Sequence, residues 1–330
     1  MKGSKSIMQI VLPLVLAGGI LWWMYRGMDW AALSTALHHD MRWGWMLASM
    51  PFGVLPQVLR ALRWRQLLHP LGQQPRVSTA INAVFLSYAS SLVIPRVGEV
   101  LRCGVLRRYD GCSFSHGVGT VVTERVVDMM MIGVIAVITF VAQIPVFMDF
   151  MSRTGVSISG FLSQFTSTGY VVTAICGIGI IVAACVLLRR FRFLARTRAA
   201  ATEMWQGMLS LRQVEGRGLF IAYSLGIWVS YYLHFYLTFF CFDATSGVGP
   251  MAALVAFVVG TFAVLVPTPN GAGPWHFAVK TVLMLYGVAA ADGAMFVLIV
   301  HTLQTALVAL LGLWAALMLA RTDKIQTTKL

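Results

Sequence analysis

Arg96, Glu99 and Arg102 recur at every third position of one short stretch of the chain. On a helix that spacing sets them on neighbouring faces. Glu124 and Asp128 stand four apart farther on, with Arg125 beside the first. Apolar residues flank all six. A charge at membrane depth costs about 2.5–3.5 kcal/mol or more unless it is paired or hydrated. The mixed signs allow mutual neutralisation, so the six are expected to form one connected polar cluster. Two roles stay open for it, and both can hold: a structural ion-pair network at a bundle rim, and a lining for an anionic headgroup.

A second constellation is Pro267-Thr268-Pro269-Asn270-Gly271-Ala272-Gly273-Pro274. Prolines this dense cannot continue a helix. Gly271 and Gly273 permit positive φ and close backbone approach. Freed amides at the start of the following helix would attract an anion through the helix dipole. His276 and Lys280 are four apart on one face of that helix. Asn270, Gly271, Gly273, His276 and Lys280 are therefore candidate headgroup contacts; the alternative is a plain helix breaker followed by a snorkelling lysine. His234 and His301, the latter followed by Gln304, lie inside apolar runs. A single histidine there ordinarily makes an interhelical hydrogen bond. Cys103, Cys112, Cys176, Cys185 and Cys241 form no CxxC or Cys/His metal pattern. No cofactor, metal or disulfide framework is expected.

These groups must be positioned by membrane helices. Of 330 residues, 58% are hydrophobic and 11% charged, against about 25% charged in soluble domains. Apolar runs at Ile7–Tyr25, Trp43–Leu59, Gly117–Ala142, Tyr170–Leu188, Leu219–Cys241 and Met295–Leu319 are expected to be six full spans. The weak small-residue site Ala17-Gly18-Gly19 makes an uncleaved first span the expectation. The net charge of +13 sits in blocks beside the runs, as the positive-inside rule requires. It does not indicate nucleic acid. Arg60, Arg63, Arg65 and Arg76 form one such block and Arg189, Arg190, Arg192, Arg196 and Arg198 the strongest. The blocks place both termini in the cytoplasm.

Two runs are too short to cross. Ala80–Ile94 has 15 residues, about 22 Å of helix against a core of roughly 30 Å. It breaks at Pro95–Glu99 and resumes through Val100–Leu106. With basic residues on both sides, it reads as a re-entrant hairpin over 80–108 that enters from the cytoplasm. Met251–Val266 breaks at Pro267–Pro274 and continues through Trp275–Gly287, giving an outer hairpin over 251–288. The fold expected is an all-α polytopic membrane domain of six spans and two hairpins. Residues 1–142 and 170–330 form an inverted repeat, and the hairpin tips, Gly98 and Gly271, meet near the bilayer centre. Paired interrupted segments of this kind mark transporter sites.

The motifs Arg60-Ala61-Leu62-Arg63-Trp64, Pro95-Arg96-Val97-Gly98-Glu99-Val100-Leu101-Arg102, Thr123-Glu124-Arg125-Val126-Val127-Asp128 and Pro267-Thr268-Pro269-Asn270-Gly271-Ala272-Gly273 together resemble the lysylphosphatidylglycerol synthase transmembrane-domain, or flippase-like, family. In the full-length synthases this membrane domain is fused to a cytoplasmic aminoacyl transferase. Here the spans use the whole chain, so a stand-alone membrane domain is expected. Family members usually follow the second glycine-rich break with a glutamate, where this chain has His276. The resemblance implies lipid flipping or carrying in a bacterial inner membrane. The lipid would be an anionic-headgroup amphiphile: a phospholipid, an aminoacyl-phospholipid or a polyprenyl-phosphate-linked sugar. Two alternatives remain: a non-catalytic membrane partner of a glycosyltransferase or envelope-biogenesis complex, and a membrane-embedded enzyme. The sequence contains no nucleophile or metal cluster for the last. The partners expected are membrane lipids, with a second copy of the chain or an envelope-biosynthesis protein as further candidates.

Overall fold

The computed structural model of the protein describes residues 15, 17–154, 198–266 and 268–327. The expected fourth span, Tyr170–Leu188, most of the strongest basic block, Cys176 and Cys185 lie outside them, as does the start of the first span. All regular structure among the described residues is helical. The longer helices are α1 (17–25), α2 (Trp43–Leu68), α3 (Val77–Ser91), α4 (Val97–Asp110), α5 (Phe114–Thr154), α6 (Arg198–Leu209), α7 (Arg217–Leu237), α8 (Pro250–Ala263), α9 (Pro274–Leu285) and α10 (Ala290–Thr327).

Three stretches are long and apolar enough to cross a membrane: Phe114–Ile144, Arg217–Cys241 and Ala290–Thr322. On α5, Met129, Met130, Val134, Val137 and Ile138 are all exposed. On α10, Leu310, Leu313 and Leu317 are exposed as well. Such continuous apolar faces are foreign to a water-facing surface and suit lipid. Helix α5 runs on to Thr154, beyond the expected end of its span at Ala142. Helix α2 carries Pro51 and Pro56 inside its 26 residues. Between them Gly53 lets α7 approach: a Cβ there would stand 2.8 Å from the His234 ring.

The first short run is a hairpin, with its break displaced from the expected place. Helix α3 ends at Ser91, and α4 starts at Val97. The break is thus 92–96, and Val97, Gly98 and Glu99 are already helical. The physical reason lies around Pro95. A residue before proline is driven out of the α region, which stops the first arm early. Arg96 then turns the chain with φ 64°, a left-handed value unusual for a side-chain-bearing residue. Gly98 is consequently no tip. It packs inside the hairpin, where a Cβ would lie 1.9 Å from the Ser87 carbonyl oxygen. The second hairpin joins α8 and α9 through Asn270, Gly271 and Gly273, at φ 52°, 69° and 88°. Pro250 and Pro274 start its two arms, positions where the missing N–H costs nothing.

Side-chain contacts fix the directions of the helices. Ser49 meets His234 and Arg63 meets Ser224, so α7 runs opposite to α2. Arg60 meets Asp128 and Trp64 meets Thr120, so α5 also opposes α2. Gly53 lies against Leu307, and Leu319 packs in the cluster of Ala61; α10 therefore runs with α2 and against α5. Glu99–Arg125 and Cys103–Gly117 contacts make α4 antiparallel to α5. Lys280–Gly293 and His276–His301 contacts make α9 antiparallel to α10. The order long helix, hairpin, long helix thus occurs twice among the described residues, and each element of the second series runs opposite to its counterpart.

Both hairpins touch α10. Ala89, near the first break, lies against Gly312, and Asn270, in the second break, bonds Thr305. Seven helical residues separate those two points, about 10 Å.

Candidate functional site

Helices α2, α4 and α5 converge on a buried set of ionised side chains. Arg60 Nη1 donates to Asp128 Oδ2 at 2.6 Å, and Arg63 Nη2 to Asp128 Oδ1 at 2.7 Å. Arg63 also reaches Glu124 Oε1 at 3.4 Å, and Arg102 Nη2 donates to Glu124 Oε2 at 2.5 Å. The Arg60 guanidinium stands 3.8 Å from Glu124. Arg125 pairs with Asp128 at 3.1 Å and with Glu99 at 3.5 Å. One connected network therefore contains Glu99, Arg102, Glu124, Arg125 and Asp128. Arg96 is outside it: exposed in the first break, with no ion pair among the described residues.

Two of its central members were assigned elsewhere by sequence. Arg60 and Arg63 read as a cytoplasmic basic block, yet they are 3% and 0% exposed. Their buried face was legible in one respect. Arg60, Arg63 and Trp64 fall on a single helical face at spacings of three and four, whereas a purely topological block needs no such register. Trp64 ties the face down by donating to Thr120 Oγ1 at 2.9 Å, and its ring lies 4.5 Å from the Arg102 guanidinium.

Charge is not balanced in the interior. Arg60, Arg63 and Arg102 face only Glu124 and Asp128, with side-chain exposures of 4%, 0% and 2% against 0% and 10%. Three cations over two anions leave one positive charge. The Nε groups of Arg60, Arg63 and Arg102 are buried without a hydrogen-bond partner. Unused donors on a net-positive buried group form an attractive site for an anion. Glu99 and Arg125, about one-third exposed, mark where the network reaches the surface. Beside them Val100, Val126 and Met129 are exposed apolar side chains. The surface there is therefore charged at its centre and apolar at its edge.

The outer break is built differently. Asn270 donates through Nδ2 to Thr305 Oγ1 at 2.6 Å and accepts at its carbonyl from His301 Nε2 at 3.1 Å. The His276 ring is buried, 4.4 Å from His301 between centroids. The first amide of the α9 end expected to be open is taken. The Gly273 N–H is taken by His276 Nδ1 at 3.3 Å, and Ile20 and the Ala17 carbonyl of α1 cover Gly273. Gly271 packs on Val264 within its own hairpin. Lys280 rests its stem on Gly293, at the start of α10. That is about 12 Å along α10 from His301, so Lys280 contributes no charge at the break. His234 donates to the Ser49 carbonyl at 2.8 Å, an interhelical bond of the ordinary kind. Among the described residues, no three His, Cys, Asp or Glu side chains are placed to hold a metal ion.

Residues 10–312 match the family described as the lysylphosphatidylglycerol synthase TM region. The chain is also 30% identical over 84 residues to the glycosyltransferase AglD of Haloferax volcanii. That alignment covers 25% of this chain and 14% of the relative, so the chain spans a small part of the relative's length. No solved structure matches. With the motifs of all three buried helices and both breaks inside the matched region, the chain belongs to the lysylphosphatidylglycerol synthase transmembrane-region family.

Proposed function

We propose that this protein carries an amphiphile with an anionic headgroup across the membrane, without covalent chemistry. The cargo class is a phospholipid, an aminoacyl-phospholipid or a polyprenyl-phosphate-linked sugar. The observation that carries this reading is the buried arginine–carboxylate network, with one guanidinium in excess and three unpartnered Nε groups. A phosphate leaving water must have its hydration replaced by fixed donors. Arg60, Arg63 and Arg102 supply donors held in place by Glu124 and Asp128. The apolar side chains beside Glu99 and Arg125 let the tail remain in lipid while the headgroup enters. Arg96, at the hairpin break, meets the headgroup outside the network. Purified protein in proteoliposomes is expected to accelerate lipid flipping. Arg96→Ala, Arg102→Ala is expected to lower the rate about tenfold or more while the protein stays folded. A folded double variant with wild-type flipping would leave these arginines as structural charges alone.

The topology that serves this function has six spans and two hairpins entering from opposite faces, in an inverted repeat with both termini in the cytoplasm of a bacterial cell. Its support is the opposed direction of every matched pair of described elements. A single cysteine at Ile94 should react with reagent supplied from the cytoplasmic side. Labelling from outside only would remove the inner hairpin.

A second reading has its own observation: the aligned segment shared with a protein named as a glycosyltransferase. On that reading the chain is a membrane partner that delivers or holds a lipid-linked substrate. Flipping by the purified chain alone favours the transporter; flipping or activity only beside a transferase favours the partner.

A further inference from the structure

The outer break gathers polar side chains that carry no formal charge at neutral imidazole. Asn270 turns the chain there and joins His301 and Thr305 of α10. Gln304 sits between those two on α10, three residues after His301. Two polar atoms on the break and on this turn of α10 have no partner among the described residues. Thr268 is 4% exposed, and its Oγ1 is buried and unbonded; the Gln304 Nε2 donor is buried and unbonded too. A buried hydroxyl or amide left unpaired is costly. A hydroxyl-bearing ligand that pairs with both would offset these costs. Trp275 adds an aromatic face, its ring 5.1 Å from that of His301.

The chemistry of this set differs from that of the arginine network. It offers two hydroxyls, two carboxamides and an imidazole, each able to donate or accept. It has no carboxylate, and Lys280 lies away from it. Groups that both donate and accept match alcohols, which do the same, and no fixed cation is present in the set to favour phosphate. We propose that the outer break is a second subsite, which binds the uncharged hydroxyl-bearing end of the lipid headgroup, a glycerol or a sugar. The residues assigned to it are Thr268, Asn270, His301, Gln304 and Thr305. The inference rests on the transport reading for its cargo, and it adds a selection rule: of two anionic lipids with equal charge, the one bearing hydroxyls is preferred.

The test compares phosphatidylglycerol with phosphatidylmethanol, both short-chained. Each carries one phosphodiester charge, and only the first carries glycerol hydroxyls. Binding is followed by thermal shift of the full chain in detergent, and flipping is followed in proteoliposomes. Wild type is expected to bind phosphatidylglycerol about tenfold more tightly, as for roughly one to two added hydrogen bonds. Thr268→Val and Gln304→Met should bring phosphatidylglycerol down to the level of phosphatidylmethanol and leave phosphatidylmethanol binding unchanged. Unchanged phosphatidylmethanol binding also reports that the variants are folded. Equal affinity of wild type for the two lipids, no binding of either, or a preference that survives both substitutions would overturn the subsite. Preferential binding without flipping would leave the subsite standing and remove the transport reading instead.

Discussion

Glu124→Ala is expected to cost about 3–5 kcal/mol of stability, the usual penalty for removing one partner from a buried ion pair. Glu124 is fully buried between Arg102 at 2.5 Å and Arg63 at 3.4 Å, with Arg60 at 3.8 Å. Without it, three interior guanidinium groups face Asp128 alone. The excess of one positive charge becomes two. The uncompensated positive charge drives apart the arms that carry the arginines. Combining Glu124→Leu with Arg102→Met removes one charge of each sign and returns the excess to one. Replacing a buried pair by apolar side chains of similar size is often close to neutral. The double variant should therefore regain most of the lost stability. Thermal unfolding of the single and double variants in detergent measures this coupling directly. A single variant as stable as wild type, or a double variant less stable than the single, would mean that the network does not hold α2, α4 and α5 together.

The network also marks how far sequence alone reached. The paired carboxylates four apart on α5 and Glu99 and Arg102 on α4 were visible because charges inside apolar runs need partners; Arg96 has the same spacing but sits in the break before α4, outside the network. Arg60 and Arg63 were hidden by a competing rule. Arginines after an apolar run satisfy the positive-inside pattern equally well, and only the shared register with Trp64 sets these two apart from snorkelling arginines. The closed end of α9 was likewise invisible. Its amide is capped by its own His276, but α1 covers it across more than 250 residues of sequence, a contact that no local pattern encodes. Hairpin existence followed from length: 15 and 14 helical residues are too few to span. The location of its break did not, because Pro95 acts on the residue before it and moves the stop upstream.

That displaced break gives the sharpest steric expectation. Gly98 and Gly104 lie on the same helix, α4, six residues apart. By helix propensity alone, alanine at either should stabilise by about 1 kcal/mol. Packing separates them. A Cβ on Gly104 meets nothing within 4 Å, whereas a Cβ on Gly98 would sit 1.9 Å from the Ser87 carbonyl oxygen and 2.6 Å from its carbon. Those are backbone atoms and cannot swing aside like the end of a side chain. Gly98→Ala must push α3 and α4 apart by more than 1 Å to restore ordinary contact distances. Overpacking of this kind costs about 1–3 kcal/mol where side chains can yield, and more where backbone must move. The displacement also pulls Glu99 and Arg102 from Arg125 and Glu124, because all four hang on the same two helices. Gly98→Ala is therefore expected to lower the unfolding temperature and to abolish lipid binding. Gly104→Ala should leave binding unchanged and raise the unfolding temperature slightly. Measured side by side in detergent, a Gly98→Ala protein as stable as the Gly104→Ala protein would show that the two arms do not touch at Ser87.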